Sequence, residues 1–213
     1  MLESADIKNT HTMTLNIYFG EKIMHLASNA DLSADALQHY TVNPTPEQIA
    51  QAVSNFLQSN DTIELNICRT DIYSLLGDVQ KSFKLISAAG GLIENGNGEL
   101  LVIYRRGMYD LPKGKRENNE TNEENALREV AEETGLNAHI VAPLADTYHI
   151  YQLSDGQYCL KTTHWFRMKV DGTPTPTPQT EEDIAEAKWV SPEQLKTLAP
   201  KAHLSLRDIF LNA

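Results

Sequence analysis

Cysteine is almost absent from this chain of 213 residues, which contains only Cys68 and Cys159. Two thiols cannot build a disulfide framework or a thiolate metal site, so we expect a protein of the reducing cytoplasm. No stretch approaches the roughly 20 consecutive apolar residues that a membrane span requires. Met1–Thr12 contains acidic residues and no apolar stretch of signal-peptide length. The sequence therefore predicts neither export nor membrane association.

Positive charge is scarce as well. The chain has 18 Lys plus Arg against 29 Asp plus Glu, which gives a formal net charge of −11. Because a chain of this charge would repel a phosphate backbone, we do not expect it to bind nucleic acid. The excess of carboxylates is, however, suited to holding a divalent cation.

The length and the change of sequence texture near residue 85 predict two domains. Residues 1–85 are expected to form a small mixed α/β accessory domain, for which Met13 is an alternative start. Its predicted elements are strands over 15–19, 22–27 and 62–68 and helices over 46–59 and 71–81. This domain could dimerise the protein, cover a cleft or bind a partner, and its sequence does not choose among these roles.

Residues 86–213 contain a second set of elements. Two apolar runs flank Asn95-Gly96-Asn97-Gly98, which is typical of a hairpin. Lys161–Val170 and Glu186–Val190 are predicted strands, and Pro192–Leu198 is a predicted helix capped by Ser191. The alternating prolines of Thr173–Pro178 predict an exposed, extended loop.

A strongly acidic helix is predicted within this second domain. Thr121 and Glu124 form a capping box, and Gly135 supplies a C-terminal stop. One side carries an apolar stripe suited to packing on a sheet, formed by Ala126, Leu127, Val130 and Ala131. Seven glutamates fall between Glu117 and Glu133.

Three of these glutamates share the face opposite the stripe. Glu129, Glu132 and Glu133 lie three or four residues apart, where like charges destabilise a helix unless something compensates them. A hard divalent cation bound by carboxylate oxygens would compensate. The alternative interpretation is a solvated acidic face, which is what most charge runs are.

The spacing of the surrounding residues favours the cation. Gly114 is followed after five residues by Glu120, and seven further residues lead to Arg128-Glu129-Val130-Ala131-Glu132-Glu133-Thr134-Gly135-Leu136. This segment resembles the Nudix box, G-x5-E-x7-R-E-U-x-E-E-x-G-U, at every position. A chance match is expected about once in a million chains of this size. The resemblance covers about residues 87–213 and implies an α-β-α sandwich around a mixed sheet, so the fold class is α/β (α+β).

The resemblance also implies a metal site. The family's magnesium ligands correspond to Glu129, Glu132 and Glu133, with Mn²⁺ as a substitute for Mg²⁺. The carbonyl of Lys113 is implied as a further ligand, at a turn where Gly114 allows close approach. Glu120 is implied as a supporting residue or a ligand of another metal ion, and Arg128 as a buttress for the glutamates. Together Arg128, Glu129, Glu132 and Glu133 form the predicted catalytic set.

The implied reaction is the hydrolysis of a pyrophosphate bond in a nucleoside diphosphate linked to another moiety. Glu129 could act as the base, or a loop residue could supply it. Three acidic residues after the Thr-Pro segment are candidates for that base or for a ligand, unless they are merely a solvated loop: Glu181, Glu182 and Asp183.

Positive and aromatic side chains near the box are candidates for substrate binding. They are Arg105, Tyr109, Lys113, Lys115 and Lys161. Pro112-Lys113-Gly114 resembles the branches of the family that act on diadenosine polyphosphates and diphosphoinositol polyphosphates. Tyr148 and Tyr151 could stack on a base, whereas the other side chains are expected to pack or to lie on the surface: His149, His164 and Cys159.

Two other functions use the same fold. The first is a regulator that senses a nucleotide without turning it over. The second is an isomerase of the isopentenyl diphosphate type. The acidic charge, the intact box and the lack of a basic helix-turn-helix count against a regulator, and no cysteine is well placed for the isomerase. A homodimer is a further expectation that the sequence leaves open.

Overall fold

The computed structural model describes residues 14–213, so the leader predicted over Met1–Thr12 and the alternative start at Met13 lie outside the described residues. The chain divides into two compact units, with Phe83 the last residue of the first and Lys84 the first residue of the second. None of the helices within residues 14–213 is long and apolar enough to span a bilayer.

The first unit is a small four-stranded sheet with helices. Its elements are β1 (Thr14–Phe19), β2 (Lys22–Ser28), α1 (Ala34–Leu37), β3 (Thr41–Val42), α2 (Pro46–Gln58), β4 (Glu64–Arg69) and α3 (Ile72–Gln80). β1 and β2 form an antiparallel hairpin, whereas β4 runs parallel to both β2 and β3. The strand order is therefore β1-β2-β4-β3, and α2 and α3 pack against β4 and each other. The predicted mixed α/β character of this region is present.

The two longer helices of the first unit begin where the sequence predicts. Thr45 accepts from the N–H of Gln48, whose side chain in turn accepts from the N–H of Thr45, and Pro46 opens the helix. The side chain of Asp71 caps α3 by accepting from the N–H groups of Tyr73 and Ser74. These caps satisfy backbone donors that a helix start leaves without partners.

The second unit has its own set of elements. They are β5 (Lys84–Glu94), β6 (Leu100–Arg105), β7 (Met108–Asp110), β8 (Lys113–Lys115), α4 (Asn122–Thr134), β9 (His139–Gln152), β10 (Tyr158–Lys169), β11 (Ile184–Val190), α5 (Pro192–Leu198) and α6 (Arg207–Leu211). The strand order is β11-β6-β5-β10-β9, and β10 runs parallel to β5 while its other neighbour β9 is antiparallel. This is the mixed sheet that the sequence predicts.

Two short strands pair with the parts of β5 and β6 that do not pair with each other. β5 pairs with β6 at Glu94 and Leu100, after which β6 pairs with β7 and β5 pairs with β8. Gly114 therefore lies in a strand opposite Ala89, not in the predicted turn. The ladder bonds of β8 hold this backbone in an extended conformation beneath α4.

Helices cover both faces of the second sheet. The stripe of α4 packs on one face, where Ala126 and Val130 join Leu101 and Phe166 in one core. The other core lies on the opposite face of the sheet, to which the strand residues on either side of Leu101 point. It brings these strand residues together with residues of α5 and α6: Leu100, Val102, Leu195, Ile209 and Phe210. The α-β-α arrangement is confirmed.

The Thr-Pro segment is anchored more firmly than a free loop. Although its threonines are exposed as predicted, the N–H of Thr177 donates to the carbonyl of Thr134 (2.8 Å) and that of Gln179 to the carbonyl of Glu133 (3.1 Å). The indole of Trp189 donates to the carbonyl of Pro174 (2.7 Å). The segment thus caps the last carbonyls of α4, which helix ends leave without partners.

Candidate active site

The helix α4 carries the acidic residues in a fixed orientation. The predicted capping box is present, since Thr121 accepts from the N–H of Glu124 (3.1 Å) and Glu124 accepts from that of Thr121 (2.8 Å). Gly135 ends the helix with a φ of 68°, which a side chain would strain. Both ends of α4 are therefore set by the residues that the sequence singles out.

Two of the three central glutamates are buried. Glu129 is 8% exposed and Glu133 is 1% exposed, whereas Glu132 faces solvent. Burial raises the pKa of Glu129 and raises that of Glu133 to about 7. A solvated acidic face does not describe Glu129 and Glu133, because carboxylates are rarely buried without a compensating partner.

Gly114 makes room for the Glu129 carboxylate. A Cβ atom at this position would overlap both carboxylate oxygens of Glu129. The box glycine is thus required by a carboxylate of the same box, which differs from the predicted reason of close approach at a turn. The structural consequence is direct contact between the backbone of β8 and the acidic face of α4.

Glu133 is contacted by Lys113 of β8 and by Arg105 of β6. The N–H of Lys113 donates to its Oε2 (2.9 Å), and a guanidinium nitrogen of Arg105 lies 3.5 Å from its Oε1. Oε1 is buried and has no hydrogen-bond partner among the described residues. A buried carboxylate oxygen without a donor is costly, and a cation would compensate it.

Arg128 makes ion pairs with three carboxylates of the box. It makes ion pairs with Glu120 (2.6 Å), Glu129 (2.8 Å) and Glu132 (2.8 Å), and it donates to the carbonyl of Lys115 (3.2 Å). The hydrogen bond from Arg128 and that from the backbone lower the pKa of Glu120 to about 2, and the same bond raises the pKa of Arg128. The expected ion pairs between this arginine and the glutamates are present.

The guanidinium of Arg128 lies among three of these carboxylates: Glu129 Oε1 and Glu132 Oε2 both contact its Nη1 (2.8 Å each), and Glu120 Oε1 contacts its Nε (2.6 Å). Within residues 14–213, no three His, Cys, Asp or Glu side chains form a group that could hold a metal ion as they stand. The donor chemistry nonetheless fits a hard cation, because the buried Oε1 of Glu133 makes no hydrogen bond and the carboxylate of Glu129 is buried beside β8. The ligand set of Glu120, Glu129, Glu132, Glu133 and Lys113 stays a prediction.

Asp110 is a site residue that the sequence analysis missed. It is 2% exposed, it accepts from the N–H of Leu111 (2.8 Å), and it binds the ammonium of Lys113 (2.8 Å). Burial opposes the charge of Lys113, but Asp110 and Glu133 together raise its pKa. The spacing of Asp110 and Lys113 by three residues was the available signal, although only the fold shows that both are buried.

Lys161 lies on β10 near this pair. Burial and the nearby ammonium of Lys113 lower its pKa to about 8, and Asp110 and Glu133 partly oppose the shift. His149 is its cross-strand partner on β9, and burial together with His203 and Lys161 lowers the pKa of His149 to about 4. The structure therefore groups Lys161 with Lys113, and it places His149 beside them.

The other predicted substrate residues are spread more widely. Lys115 is exposed at the end of β8, whereas Arg105 reaches Glu133. Tyr109 lies elsewhere: it pairs with Tyr104 on the opposite side of β6 from Arg105, with ring centroids 5.1 Å apart. Tyr109 thus lies on the other face of β6 from Arg105, and its role in substrate binding stays a prediction.

Four further residues were expected to stack on a base, to pack or to lie on the surface. Tyr148 is buried, and the ring of Tyr151 lies 6.0 Å from that of His149. Cys159 is buried, as predicted, and His164 lies on the surface in a pair with Asp146 (2.8 Å).

The acidic loop after the Thr-Pro segment reaches the site through arginines. Glu182 binds Arg105 (3.1 Å), which connects it to Glu133, while Asp183 binds Arg106 (2.8 Å). Glu181 is exposed. Glu182 is therefore the member of the predicted trio that shares an arginine with a buried glutamate.

Two known proteins are similar in sequence to this chain. The chain is 33% identical over 120 residues to the MutT4 protein of Mycobacterium tuberculosis, a match that covers 51% of this chain and 47% of that protein, so it spans about half of that relative. It is 32% identical over 127 residues to the RNA pyrophosphohydrolase of Novosphingobium aromaticivorans, covering 51% of this chain and 79% of the relative.

A solved structure and a family model also match this chain. The crystal structure of the MutT protein from Methanosarcina mazei Go1 matches 61% of this chain and 93% of its own, with 23% identity and a TM-score of 0.49. The family description of the NUDIX domain matches residues 84–212, which include the whole second unit except Ala213. The chain therefore belongs to the Nudix family.

Proposed function

We propose that this chain is a Mg²⁺-dependent hydrolase that cleaves a pyrophosphate bond in a nucleoside diphosphate linked to another moiety. The observation that carries the proposal is the buried Glu133, whose Oε1 lacks a hydrogen-bond partner beside a second buried carboxylate, Glu129. Nudix hydrolases generally use divalent cations. A relative is named as an RNA pyrophosphohydrolase and another as an 8-oxo-dGTP diphosphatase, which supports the same class of bond.

The cation would be held by Glu129, Glu132 and Glu133 with the carbonyl of Lys113, and Glu120 would support them. When bound, such an ion neutralises pyrophosphate oxygens and lowers the pKa of a bound water. Mn²⁺ is expected to substitute, because it also takes oxygen ligands. Arg128 would release part of its hold on Glu129 and Glu132 while keeping Glu120, since it contacts all three.

The protein side chains would divide the remaining tasks. Glu129 would accept a proton from the attacking water, because its carboxylate is buried beside β8, next to the proposed cation. Arg105, Lys115 and Lys161 would bind phosphate oxygens. Lys113 would face the same phosphates from its fixed position beside Asp110.

A phosphate chain longer than a diphosphate suits this cationic set. Lys161 has no ion pair among the described residues, and its lowered pKa reflects burial near other ammonium groups. Extra phosphates would compensate these charges, so a dinucleoside polyphosphate is the substrate we propose to test first. We also propose that the protein acts in the cytoplasm, because its two cysteines form no disulfide and are buried.

The experiment is a panel assay of the full chain. Nucleoside polyphosphates, dinucleoside polyphosphates, ADP-ribose and diphosphoinositol polyphosphates are incubated with Mg²⁺, with Mn²⁺ or with EDTA, and the release of phosphate or mononucleotide is measured. We expect turnover of at least one compound with Mg²⁺ and none with EDTA. Saturable nucleotide binding without turnover would instead favour a regulator that only senses the nucleotide.

The first unit is proposed as an accessory domain, with dimerisation as one possible role. Sedimentation of the full chain measures this directly. A monomer over the range of concentrations used in the assay would reject the homodimer without affecting the proposed chemistry.

A further inference from the structure

A cavity of about 330 Å³ lies apart from the acidic cluster, against β6, β7 and the segment after α5. It is lined by Tyr104, Gly107, Met108, Tyr109, Glu186 and Lys201. Neither Glu133 nor any other box glutamate lines it. The cavity is therefore distinct from the acidic cluster.

The strand register places this cavity on the side of β6 that faces away from Glu133. Arg105 extends towards Glu133, so its neighbour Tyr104 points to the other side of the strand. Tyr109 is the cross-strand partner of Tyr104, and Glu186 on β11 is paired with Tyr104 as well. Three side chains from three strands are thus brought together by the ladder itself.

The aromatic pair is held in a defined geometry. The rings of Tyr104 and Tyr109 are 5.1 Å apart and inclined by 60°. The ammonium of Lys188 lies 5.3 Å from the centre of the Tyr109 ring and is itself fixed by Glu186 (2.8 Å). Because these contacts pre-orient Tyr109, a planar ligand could stack here without ordering the tyrosine first.

The polar groups of the cavity are complementary to a phosphorylated ligand. Lys188 and Glu186 neutralise each other, whereas Lys201 makes no ion pair in the part of the chain that the structure describes. Glu186 is 49% exposed, so its carboxylate can still accept from an amino group. Gly107, at a φ of 84° and with open space at its Cβ position, keeps one wall free of a side chain.

We propose that this cavity is a second binding site, which takes a mononucleotide independently of the acidic site. The base would stack on Tyr104 and Tyr109, its amino group would donate to Glu186, and its phosphate would bind Lys201. Aromatic rings suit a base, because every base has a face that can stack. A bare sugar phosphate would gain the Lys201 contact alone.

Calorimetry of the full chain with AMP in the presence of EDTA tests the proposal. AMP has no pyrophosphate bond, and EDTA removes any cation from the acidic site, so neither turnover nor metal-bridged binding contributes. We expect saturable binding that is about tenfold weaker in Tyr104→Leu and Tyr109→Leu. Tyr73→Leu, the same change at a tyrosine that is 62% exposed in the first unit, is the matched control and should bind as the wild type does.

Two further variants keep the test independent of folding. Lys201 is exposed, so Lys201→Gln should fold normally and weaken AMP binding while leaving adenosine binding unchanged. Tyr109→Phe keeps the ring and the Lys188 ammonium over it and loses only a long hydrogen bond from Lys188 to the hydroxyl (3.5 Å), so it should bind AMP normally. Ribose 5-phosphate and inorganic phosphate serve as probes that lack the base, and both should bind more weakly than AMP.

Three results would reject the second site. The second site is rejected if the wild type shows no saturable AMP binding at millimolar concentration, or if ribose 5-phosphate binds as tightly as AMP. It is also rejected if Glu133→Gln abolishes binding while Tyr109→Leu retains it, because AMP would then occupy the acidic site. None of these results bears on the hydrolase activity, which is measured with Mg²⁺ and a pyrophosphate substrate.

Discussion

The backbone N–H of Lys113 donates a hydrogen bond to Oε2 of Glu133, 2.9 Å away. The bond joins β8 to α4 and comes from the main chain, so it fixes one carboxylate oxygen whatever the Lys113 side chain does. The other oxygen, Oε1, is left buried without a hydrogen-bond partner in the described structure. We therefore expect Glu133 to be the carboxylate of the box that is best oriented to bind a cation.

Replacing Glu133 with Gln should abolish most of the activity while preserving the fold. The amide can still accept from the N–H of Lys113, but it removes the negative charge. We expect kcat/KM for the best substrate of the panel to fall by about 10²–10⁴-fold. Circular dichroism checks that the helix content is unchanged.

The control for this variant is Glu123→Gln, the same change on the exposed first turn of the same helix. It should leave kcat/KM within about twofold of the wild type, since exposed substitutions have small effects. Wild-type rates in Glu133→Gln would show that this carboxylate is not a ligand.

Gly114→Ala should damage both stability and activity. The added methyl group would overlap the Glu129 carboxylate, so either α4 or β8 has to shift. We expect the free energy of unfolding to fall by about 1–3 kcal/mol, the usual cost of overpacking, together with a loss of Mg²⁺-dependent turnover. Chemical denaturation and the hydrolase assay measure the two effects.

Gly77→Ala is the matched control for that substitution. Gly77 lies within α3 and has open space where a Cβ would be placed. Alanine is favoured over glycine in a helix, so this change should stabilise the protein by about 0.5–1 kcal/mol and leave turnover unaffected. If the two variants behaved alike, the contact between Gly114 and Glu129 would not be the cause.

Features set by residues close in the sequence could be predicted, whereas features set by long-range pairing could not. The bounds of α5 and the caps of α2 and α4 could be predicted because each depends on residues within one turn of the helix. β9 (His139–Gln152) was not predicted, because much of it is exposed and its apolar alternation is weak. The turn proposed at Gly114 was wrong, because its extended backbone depends on pairing with Ala89, 25 residues earlier.

The same distinction applies to the site. The glutamate spacing identified the acidic face, since it follows from the period of one helix. The burial of Glu133, the ion pair between Asp110 and Lys113 and the position of Tyr109 opposite Tyr104 depend on β7 and β8 lying between β5 and β6. No local pattern encodes that arrangement.

The raised pKa of Glu133 should make stability depend on pH in the absence of metal. Burial raises this pKa from 4.5 to about 7, so the folded state binds a proton that the unfolded state has released between these values. The stabilisation is fully present below about pH 4.5 and is lost as the pH rises through 7. It amounts to roughly 3 kcal/mol.

Urea unfolding in EDTA between about pH 5 and 8 measures this dependence. The free energy of unfolding of the wild type should decrease over that range relative to Glu133→Gln, which cannot titrate. Parallel curves for the two proteins would mean that Glu133 is ionised throughout and is compensated by Arg105 and Lys113.

The ion pair between Asp110 and Lys113 should be strongly coupled, because both side chains are withdrawn from water, at 3% and 15% exposure. Asp110→Asn leaves the ammonium without its partner and should cost about 3–5 kcal/mol of stability. Lys113→Met removes that ammonium and keeps an apolar stem, so adding Asp110→Asn to it should cost much less. We expect a coupling energy of about 1–3 kcal/mol from the complete cycle, measured by denaturation.

The exposed pair of Lys169 and Glu94 (3.3 Å) is the control, and its cycle should give less than about 1 kcal/mol. Additive effects at Asp110 and Lys113 would show that Asp110 supports the fold through Leu111 alone and does not position Lys113.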